Sequence, residues 1–270
     1  MSEFTLCLNT STIRPTPLLD KIRLAGEAGY RAIEPWNDEV TAYLDQGGTM
    51  AELKRALADA GLKVVSVIAL HGWITSEGDE RARVLEDCKR RMAQAAELGS
   101  PYIVASPPRG VVDLGRATER FAELMQIGKE IGVTPSMEFL GFVDGIKDVK
   151  SAWTIASGTG DPQATIVADV FHMIRGGGQV DDLLQVPGDR VANFHINDVP
   201  ATPDPLTQKD EDRVMVGEGI ADLPRVIANL RTIGYRGPIS LELFNRALWA
   251  QDPATVIRRG IEVISSLVGD

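Results

Sequence analysis

Short apolar runs rich in β-branched residues alternate with longer stretches whose apolar positions recur at helical spacing, from one end of the chain to the other. The run Lys63 to Leu70, Lys-Val-Val-Ser-Val-Ile-Ala-Leu, is nearly all apolar, as suits a parallel strand buried on both faces. Comparable runs predict strands at Phe4 to Leu8, Tyr30 to Pro35, Tyr102 to Ala105, Thr134 to Leu140, Ala164 to Val170, Val191 to Ile196 and Pro238 to Phe244. The intervening stretches predict helices over about Thr16 to Ala28, Met50 to Ala60, Asp79 to Leu98, Gly115 to Ile131 and Ile146 to Ser157. Further helices are expected near Val180 to Leu184, Asp222 to Ile233 and Pro253 to Leu267. Gly61 and Gly99 stand just beyond two of these helices, and Pro15 and Pro17 at the start of the first, where each residue type is tolerated best. The segment Val199 to Gly219 is rich in proline and charge and has no clear period.

Strands alternating with helices imply a parallel sheet. Eight such units, with no linker between them, fit an α/β closed barrel, the (β/α)8 TIM barrel, as one domain over residues 1–270. The rival open, doubly wound sheet usually shows a glycine-rich phosphate fingerprint after its first strand. Here that position reads Asn9-Thr10-Ser11-Thr12.

Composition narrows the partners. Hydrophobic residues make up 44% and charged residues 24% of the chain, an ordinary globular balance. The net charge of −10 argues against nucleic acid or an anionic membrane surface as the main partner. A local basic patch would have to be built against that overall field. The two cysteines, Cys7 and Cys88, sit in a strand-like and a helical run and read as buried thiols. The start, Met-Ser-Glu-Phe-Thr-Leu, lacks the pattern of a signal peptide, and no apolar stretch is long enough to span a bilayer. A cytoplasmic protein is the expectation.

In a barrel of this kind the active site forms at the C-terminal ends of the strands. Glu138 and Glu242 lie there, each a carboxylate flanked by apolar residues in its strand. A buried carboxylate needs a cation or strong hydrogen bonds. An arginine or lysine within the barrel would satisfy either glutamate. Asp169 and His195 come from the sixth and seventh strands, between them, so the four groups can converge on one point. Two glutamates, an aspartate and a histidine suit one divalent metal ion, Mn²⁺, Mg²⁺ or Co²⁺, with Zn²⁺ compatible. All three histidines, His71, His172 and His195, fall at or near strand ends. His172 reads as a substrate contact or as a helix cap. Arg213, in the long seventh loop, and His71 and Trp36, at the mouth, are further candidates for substrate binding, each with a plain surface or packing alternative.

The runs Met-Glu-Phe-Leu-Gly at 137–141, Asp-Val-Phe-His at 169–172, Phe-His-Ile-Asn-Asp at 194–198, Asp-Glu-Asp-Arg-Val at 210–214, Gly-Glu-Gly at 217–219 and Ser-Leu-Glu-Leu-Phe at 240–244 occur in this order. Together they resemble the xylose isomerase-like barrel superfamily, which includes endonuclease IV, ketose 3-epimerases, inosose dehydratases and inosose (2-keto-myo-inositol) isomerases. The inosose isomerases are the nearest likeness. Ketose 3-epimerases carry an asparagine-arginine stretch after the first glutamate, where this chain has Phe139 to Asp144. Endonuclease IV needs three zinc ions and many more histidines.

The resemblance implies that Glu138, Asp169, His195 and Glu242 are metal ligands, with Glu138 and Glu242 also the catalytic acid/base pair. It implies proton transfer beside a carbonyl through an enediolate, on a small-molecule sugar or cyclitol such as a keto-inositol. The same enediolate serves an isomerase, an epimerase or, if a β-hydroxyl leaves, a dehydratase of an inosose or 3-dehydroshikimate-like substrate. A non-catalytic sugar-binding barrel is the alternative outside enzymes. Nothing in the sequence speaks against a homo-oligomer.

Overall fold

The structure, a computed structural model, describes residues 3–269. Among these, nine parallel strands form one sheet: β1 (Thr5–Asn9), β2 (Ala32–Glu34), β3 (Lys63–Val64), β4 (Val67–Leu70), β5 (Tyr102–Ala105), β6 (Thr134–Glu138), β7 (Thr165–Asp169), β8 (Val191–Ile196) and β9 (Pro238–Leu241). Their order is β3-β2-β1-β9-β8-β7-β6-β5-β4. This is a (β/α)8 barrel whose third strand is in two pieces, because β3 pairs with β2 and β4 with β5. The seam is bridged by Ile68 N–H to the Pro35 carbonyl at 3.1 Å and by a parallel bridge between Trp36 and Ile68. The apolar run from Lys63 to Leu70 predicts one unbroken strand. Hydrophobicity reports burial on both faces, and it is blind to a strand that bends to bond neighbours at two heights.

The helices are α1 (Leu18–Ala28), α2 (Asn37–Asp45), α3 (Met50–Asp59), α4 (Gly78–Glu97), α5 (Leu114–Ile131), α6 (Val149–Gly158), α7 (Val170–Arg175), α8 (Leu223–Thr232), α9 (Arg246–Trp249) and α10 (Pro253–Val268). α3 starts on a capping box, with Thr49 Oγ1 accepting from Glu52 N–H at 3.2 Å and Glu52 accepting from Thr49 N–H at 2.8 Å. α2 and α9 are absent from the sequence-based expectation. α2 buries only Asn37 and Val40, so it shows no apolar stripe to read.

The corner after β7 also differs. The pattern places the sixth helix at Val180 to Leu184, where the structure has a 3₁₀ turn, Val180–Gln185. A true α-helix, α7, begins on the residue after β7 and is capped by Asp169, whose Oδ1 accepts from His172 N–H at 3.0 Å. Strand and helix meet with no loop between them, so Asp169 and His172 project from one tight corner.

Val199 to Gly219 is not a free loop. Asp198 and Val214 exchange both backbone hydrogen bonds at 3.0 Å, folding the segment back across the end of β8. The Asp198 carboxylate accepts from the N–H groups of Val199, Gly217 and Ala221. Gly217 has φ of +86°, and a Cβ on Gly219 would stand 2.3 Å from Asp198 Oδ1. The Gly-Glu-Gly run is therefore what lets the loop close on that carboxylate.

One hydrophobic layer lies between strands and helices; a smaller one, Ile68, Ala69, Val104 and Val167 with Trp36 against it, fills the barrel interior. Both cysteines are free and buried. No described helix is long and apolar enough to cross a membrane.

Candidate metal centre

Side chains two apart on a strand share a face. On β8 this sends Asn193 and His195 inward together, and Ser240 in β9 and Glu242 just past its end point inward likewise. Cross-strand register aligns Asp169 with His195, His195 with Ser240, and Asn9 with Glu34. Glu138 lies level with Val167, on the interior face.

The result is a buried cluster around His195. Its Nδ1 is 3.1 Å from Glu242 Oε2, 3.6 Å from Asp169 Oδ2 and 4.0 Å from Glu138 Oε1. One ligand atom each from Asp169, His195 and Glu242 lies within 4.8 Å of the others. Nε2, on the other side of the ring, is 2.9 Å from Glu34 Oε2. These are close approaches and not aligned hydrogen bonds, since neither ring nitrogen has a well-directed partner. A buried imidazole nitrogen facing three carboxylates without a directed proton between them is the donor set of a divalent ion. Asp169, His195 and Glu242 converge closely enough to hold such an ion, which His195 would bind through Nδ1 while Nε2 faces the Glu34 carboxylate; Glu138, the fourth expected ligand, stands 4.0 Å from Nδ1, outside that close group.

Glu34, the last residue of β2, anchors the cluster. It accepts from Asn9 Nδ2 and Asn193 Nδ2 at 2.8 Å and from Ser240 Oγ at 2.9 Å. Asn9 also donates to Glu242 Oε1 at 3.0 Å, tying two carboxylates together. Burial opposes ionisation of Glu34, but His195 and the two asparagines outweigh it and hold its pKa below the usual range. Burial likewise opposes a charge on His195, and Glu242 and Glu34 overcome it, leaving the pKa well above the usual value. Glu138 goes the other way. Burial is the main cause, only partly offset by His195, and its pKa is pushed up to about 8. Ser106 Oγ donates to Glu138 Oε2 at 2.8 Å and steadies it.

Arg213, a candidate for substrate binding in the sequence, lies against the cluster, and what it grips there is protein. It is 1% exposed, with Nη1 2.7 Å from Asp169 Oδ2 and 2.8 Å from Glu242 Oε2. Each carboxylate oxygen has two lone-pair positions; Asp169 Oδ2 takes Asn197 Nδ2 at 3.3 Å beside Arg213, so an ion bound there would displace one of these donors. Asp210 takes Nη2 at 2.7 Å, and the guanidinium is packed over the rings of Phe171 and Phe244. Burial disfavours the Asp169 carboxylate, yet Arg213 foremost holds its pKa well below the usual range.

His172 is buried under Arg213. Its Nδ1 accepts from Gly141 N–H at 3.2 Å, and its Nε2 faces Arg213 Nη2 at 3.0 Å. Both neighbours are donors, and a neutral ring accepts at one nitrogen only. Burial, with Arg213 adding to it, lowers the pKa of His172 to about 4. Asn197, two residues beyond His195, donates to both Asp169 oxygens at 3.3 Å and accepts from Phe171 N–H at 3.0 Å.

Above the cluster lies a cavity of about 230 Å³ lined by Glu138, Glu242, His172, Arg213, His71 and Trp36 among others. His71 itself is exposed at the rim, and Trp36 is half-buried, with its Nε1 donating to Asn9 Oδ1 at 3.1 Å. A wider basin of about 460 Å³ lies outside and shares Arg109, Phe142, Asp210 and Phe244 with the cavity. Of the expected site residues, Glu138, Glu242, His172, Arg213, His71 and Trp36 line this cavity, and Asp169 and His195 lie buried beneath it. Asn9, Ser106, Asn193, Asn197 and Ser240 were passed over; their signal was a polar residue at an interior strand or strand-end position.

Residues 22–267 match the family described as the xylose isomerase-like TIM barrel. The chain belongs to that family. Among curated relatives, an inosose isomerase of Bacillus velezensis is 26% identical over 272 residues, spanning 97% of this chain and 96% of that enzyme. A 3-dehydroshikimate dehydratase of Pseudomonas aeruginosa is 23% identical over 232 residues, covering 84% of this chain and 36% of its own length. Among solved structures, the IolI protein with a bound zinc atom superposes with a TM-score of 0.91 at 24% identity, over 98% of both chains. At that identity the likeness establishes the shared barrel.

Proposed function

We propose that this family member is a divalent-metal-dependent isomerase or epimerase of a keto-cyclitol or keto-sugar, with 2-keto-myo-inositol as the first substrate to try. The observation that carries this reading is His195 Nδ1, buried, without an aligned hydrogen bond, and facing three carboxylates. Glu138, Asp169, His195 and Glu242 would hold the ion. When bound, a divalent ion there supplies Lewis-acid polarisation of a carbonyl beside a hydroxyl.

The chain's own groups move the proton. Glu138 and Glu242 both line the cavity. One removes a carbon-bound proton next to the carbonyl, and the other returns a proton at the neighbouring carbon or the opposite face. Arg213 steadies Glu242 and is itself backed by His172, and both line the cavity wall. Trp36 and Phe244, packed edge to face with centroids 5.8 Å apart, offer an apolar wall for the ring. The similarity to an inosose isomerase over nearly the full length supports this choice of substrate. The similarity to a 3-dehydroshikimate dehydratase supports a second reading, loss of a β-hydroxyl from the same enediolate.

The test is elemental analysis of wild type beside Glu138→Gln and His195→Ala, then incubation with 2-keto-myo-inositol in deuterated water. The expected result is about one divalent ion per wild-type chain, most of it lost in the variants, and deuterium entering the substrate. An ultraviolet-absorbing enone or dione would favour the dehydratase reading. Binding without exchange would point to a carrier. A protein that takes up no ion from Mn²⁺, Co²⁺ or Zn²⁺ has some other chemistry.

A further inference from the structure

We propose that the mouth of the barrel carries a subsite for an anionic substituent of the substrate, a carboxylate or a phosphate ester, centred on Arg109. Arg109 ends the Ser-Pro-Pro-Arg run at 106–109 after β5 and lines both the inner cavity and the outer basin. Its guanidinium makes no ion pair and no hydrogen bond with any described residue.

The neighbouring cations show why this matters. Arg213 is engaged by Asp169, Glu242 and Asp210, and Arg246 by Glu211 at 3.2 Å. Arg175 donates Nε to the Gln208 carbonyl at 2.6 Å and Nη1 to the Gly141 carbonyl at 3.5 Å. Both partners are uncharged, so the charge on Arg175 is not neutralised. Lys209 lines the same basin and has no ion pair among the described residues. Arg109, Arg175 and Lys209 therefore face one concavity without counter-ions, in a chain whose net charge is −10. Single unpaired cations on a surface are ordinary. Three around a cleft that leads to the reactive carboxylates focus a positive potential there.

The two ends of the site then have opposite character. The floor is built on Glu34, Glu138, Asp169 and Glu242, and the rim carries the unpaired Arg109, Arg175 and Lys209 beside Asp210 and Glu211, whose charges Arg213 and Arg246 take up. A substrate with its carbonyl at one end and an anionic group at the other is oriented by this polarity. The guanidinium fork suits a planar carboxylate or a phosphate through paired hydrogen bonds. The inference rests on the reading of the cavity as a substrate pocket. It deepens that reading: acidic or phosphorylated keto-sugars and keto-cyclitols are preferred over neutral ones.

Calorimetric titration of the metal-loaded full chain tests this with two matched pairs of unreactive ligands. Shikimate is compared with its methyl ester, and myo-inositol 1-phosphate with myo-inositol. In wild type the charged member of at least one pair binds roughly tenfold or more tightly than its neutral twin, and Arg109→Gln reduces the preference to within about twofold. Arg175→Gln weakens it in part, while melting temperature and metal content stay at the wild-type value in both variants. The pair that shows the preference tells carboxylate from phosphate. Equal binding within both pairs, a preference that survives Arg109→Gln and Arg175→Gln combined in one chain, or no saturable binding of any of the four ligands overturns the subsite. If 2-keto-myo-inositol still exchanges its hydrogen under those outcomes, the reaction reading stands without the subsite. A charge preference with no exchange leaves the subsite and removes the reaction.

Discussion

His195 Nε2 lies 2.9 Å from Glu34 Oε2, and both side chains are fully buried at the centre of the barrel. Glu34 itself is pinned by Asn9, Asn193 and Ser240, so the imidazole has a fixed anion behind it and carboxylates in front. A carboxylate in that position sets the ring's orientation and makes the opposite nitrogen a better ligand. Glu34→Gln puts an amide N–H among groups that already donate. It is expected to lower divalent-metal affinity roughly 10- to 100-fold with the fold retained. Chelator competition on the two proteins measures this, and unchanged affinity would remove Glu34 from the role.

Arg213 is the cation that Asp169 and Glu242 share. Arg213→Met leaves both carboxylates buried with a partner missing, which costs about 3–5 kcal/mol. The loss is expected in denaturant unfolding with chelator present, and saturating divalent ion should recover part of it. Equal stability of variant and wild type in chelator would mean that water or rearrangement satisfies the pair.

Glu138 titrates in a direction that links metal and protons. With its pKa raised from 4.5 to about 8, the carboxyl keeps its proton in the metal-free native state at neutral pH. An ion needs the ionised form, so binding should release a proton at pH 7, and affinity should rise with pH until about 8. Calorimetry in buffers of different ionisation enthalpy counts that proton. His195, whose pKa is also raised, gives up a further proton on binding through Nδ1, so Glu138→Gln, loaded at high ion concentration, should lower the count by about one; an unchanged count would assign the Glu138 proton elsewhere.

His172 has the opposite linkage. Its native pKa of about 4 lies below the ordinary 6.5, so between those values the unfolded chain binds a proton that the native state refuses. Stability from this group is therefore fully present above pH 6.5 and is lost as the pH falls towards 4. An NMR titration of the His172 ring, with His172→Gln as the assignment control, should show a neutral imidazole down to pH 5. A midpoint near 6.5 would contradict the burial and the contact with Arg213.

A cap remote from the site separates stability from chemistry. Thr49→Ala removes the box that starts α3 and should cost about 1 kcal/mol of stability. Metal content and ligand binding are expected to stay as in wild type. A change in either would mean that α3 is coupled to the mouth.

Much of the barrel is legible in the sequence because apolar periodicity is a local signal. Tyr102–Ala105 and Val191–Ile196 fall where the pattern puts them. The misses have particular causes. α2 has too few buried residues to show a stripe. β7 turns straight into α7 at a corner that the run Ala164 to Val170 does not mark. The third strand divides because barrel closure, not hydrophobicity, sets its hydrogen-bond partners. In the site, Glu138 and Glu242 stand out as carboxylates in apolar strands, whereas Asn193 and Ser240 look like minor polar interruptions until Glu34 is seen between them.

The sequence by itself determines the alternation of strand and helix, and with it the parallel barrel and the strand ends where chemistry gathers. It also determines which residues must find a charged or polar partner once buried, since desolvation is a property of the residue and its neighbours in the chain. The choice of partner belongs to the tertiary structure. Arg213 is one arginine among acids in the sequence, and only the loop's return through Asp198 and Val214 carries it onto Asp169 and Glu242. Glu34 and His195 are far apart in the chain, and barrel closure alone brings them to 2.9 Å. Electrostatic interactions depend on distance in space, and those distances exist only once the sheet has curled on itself.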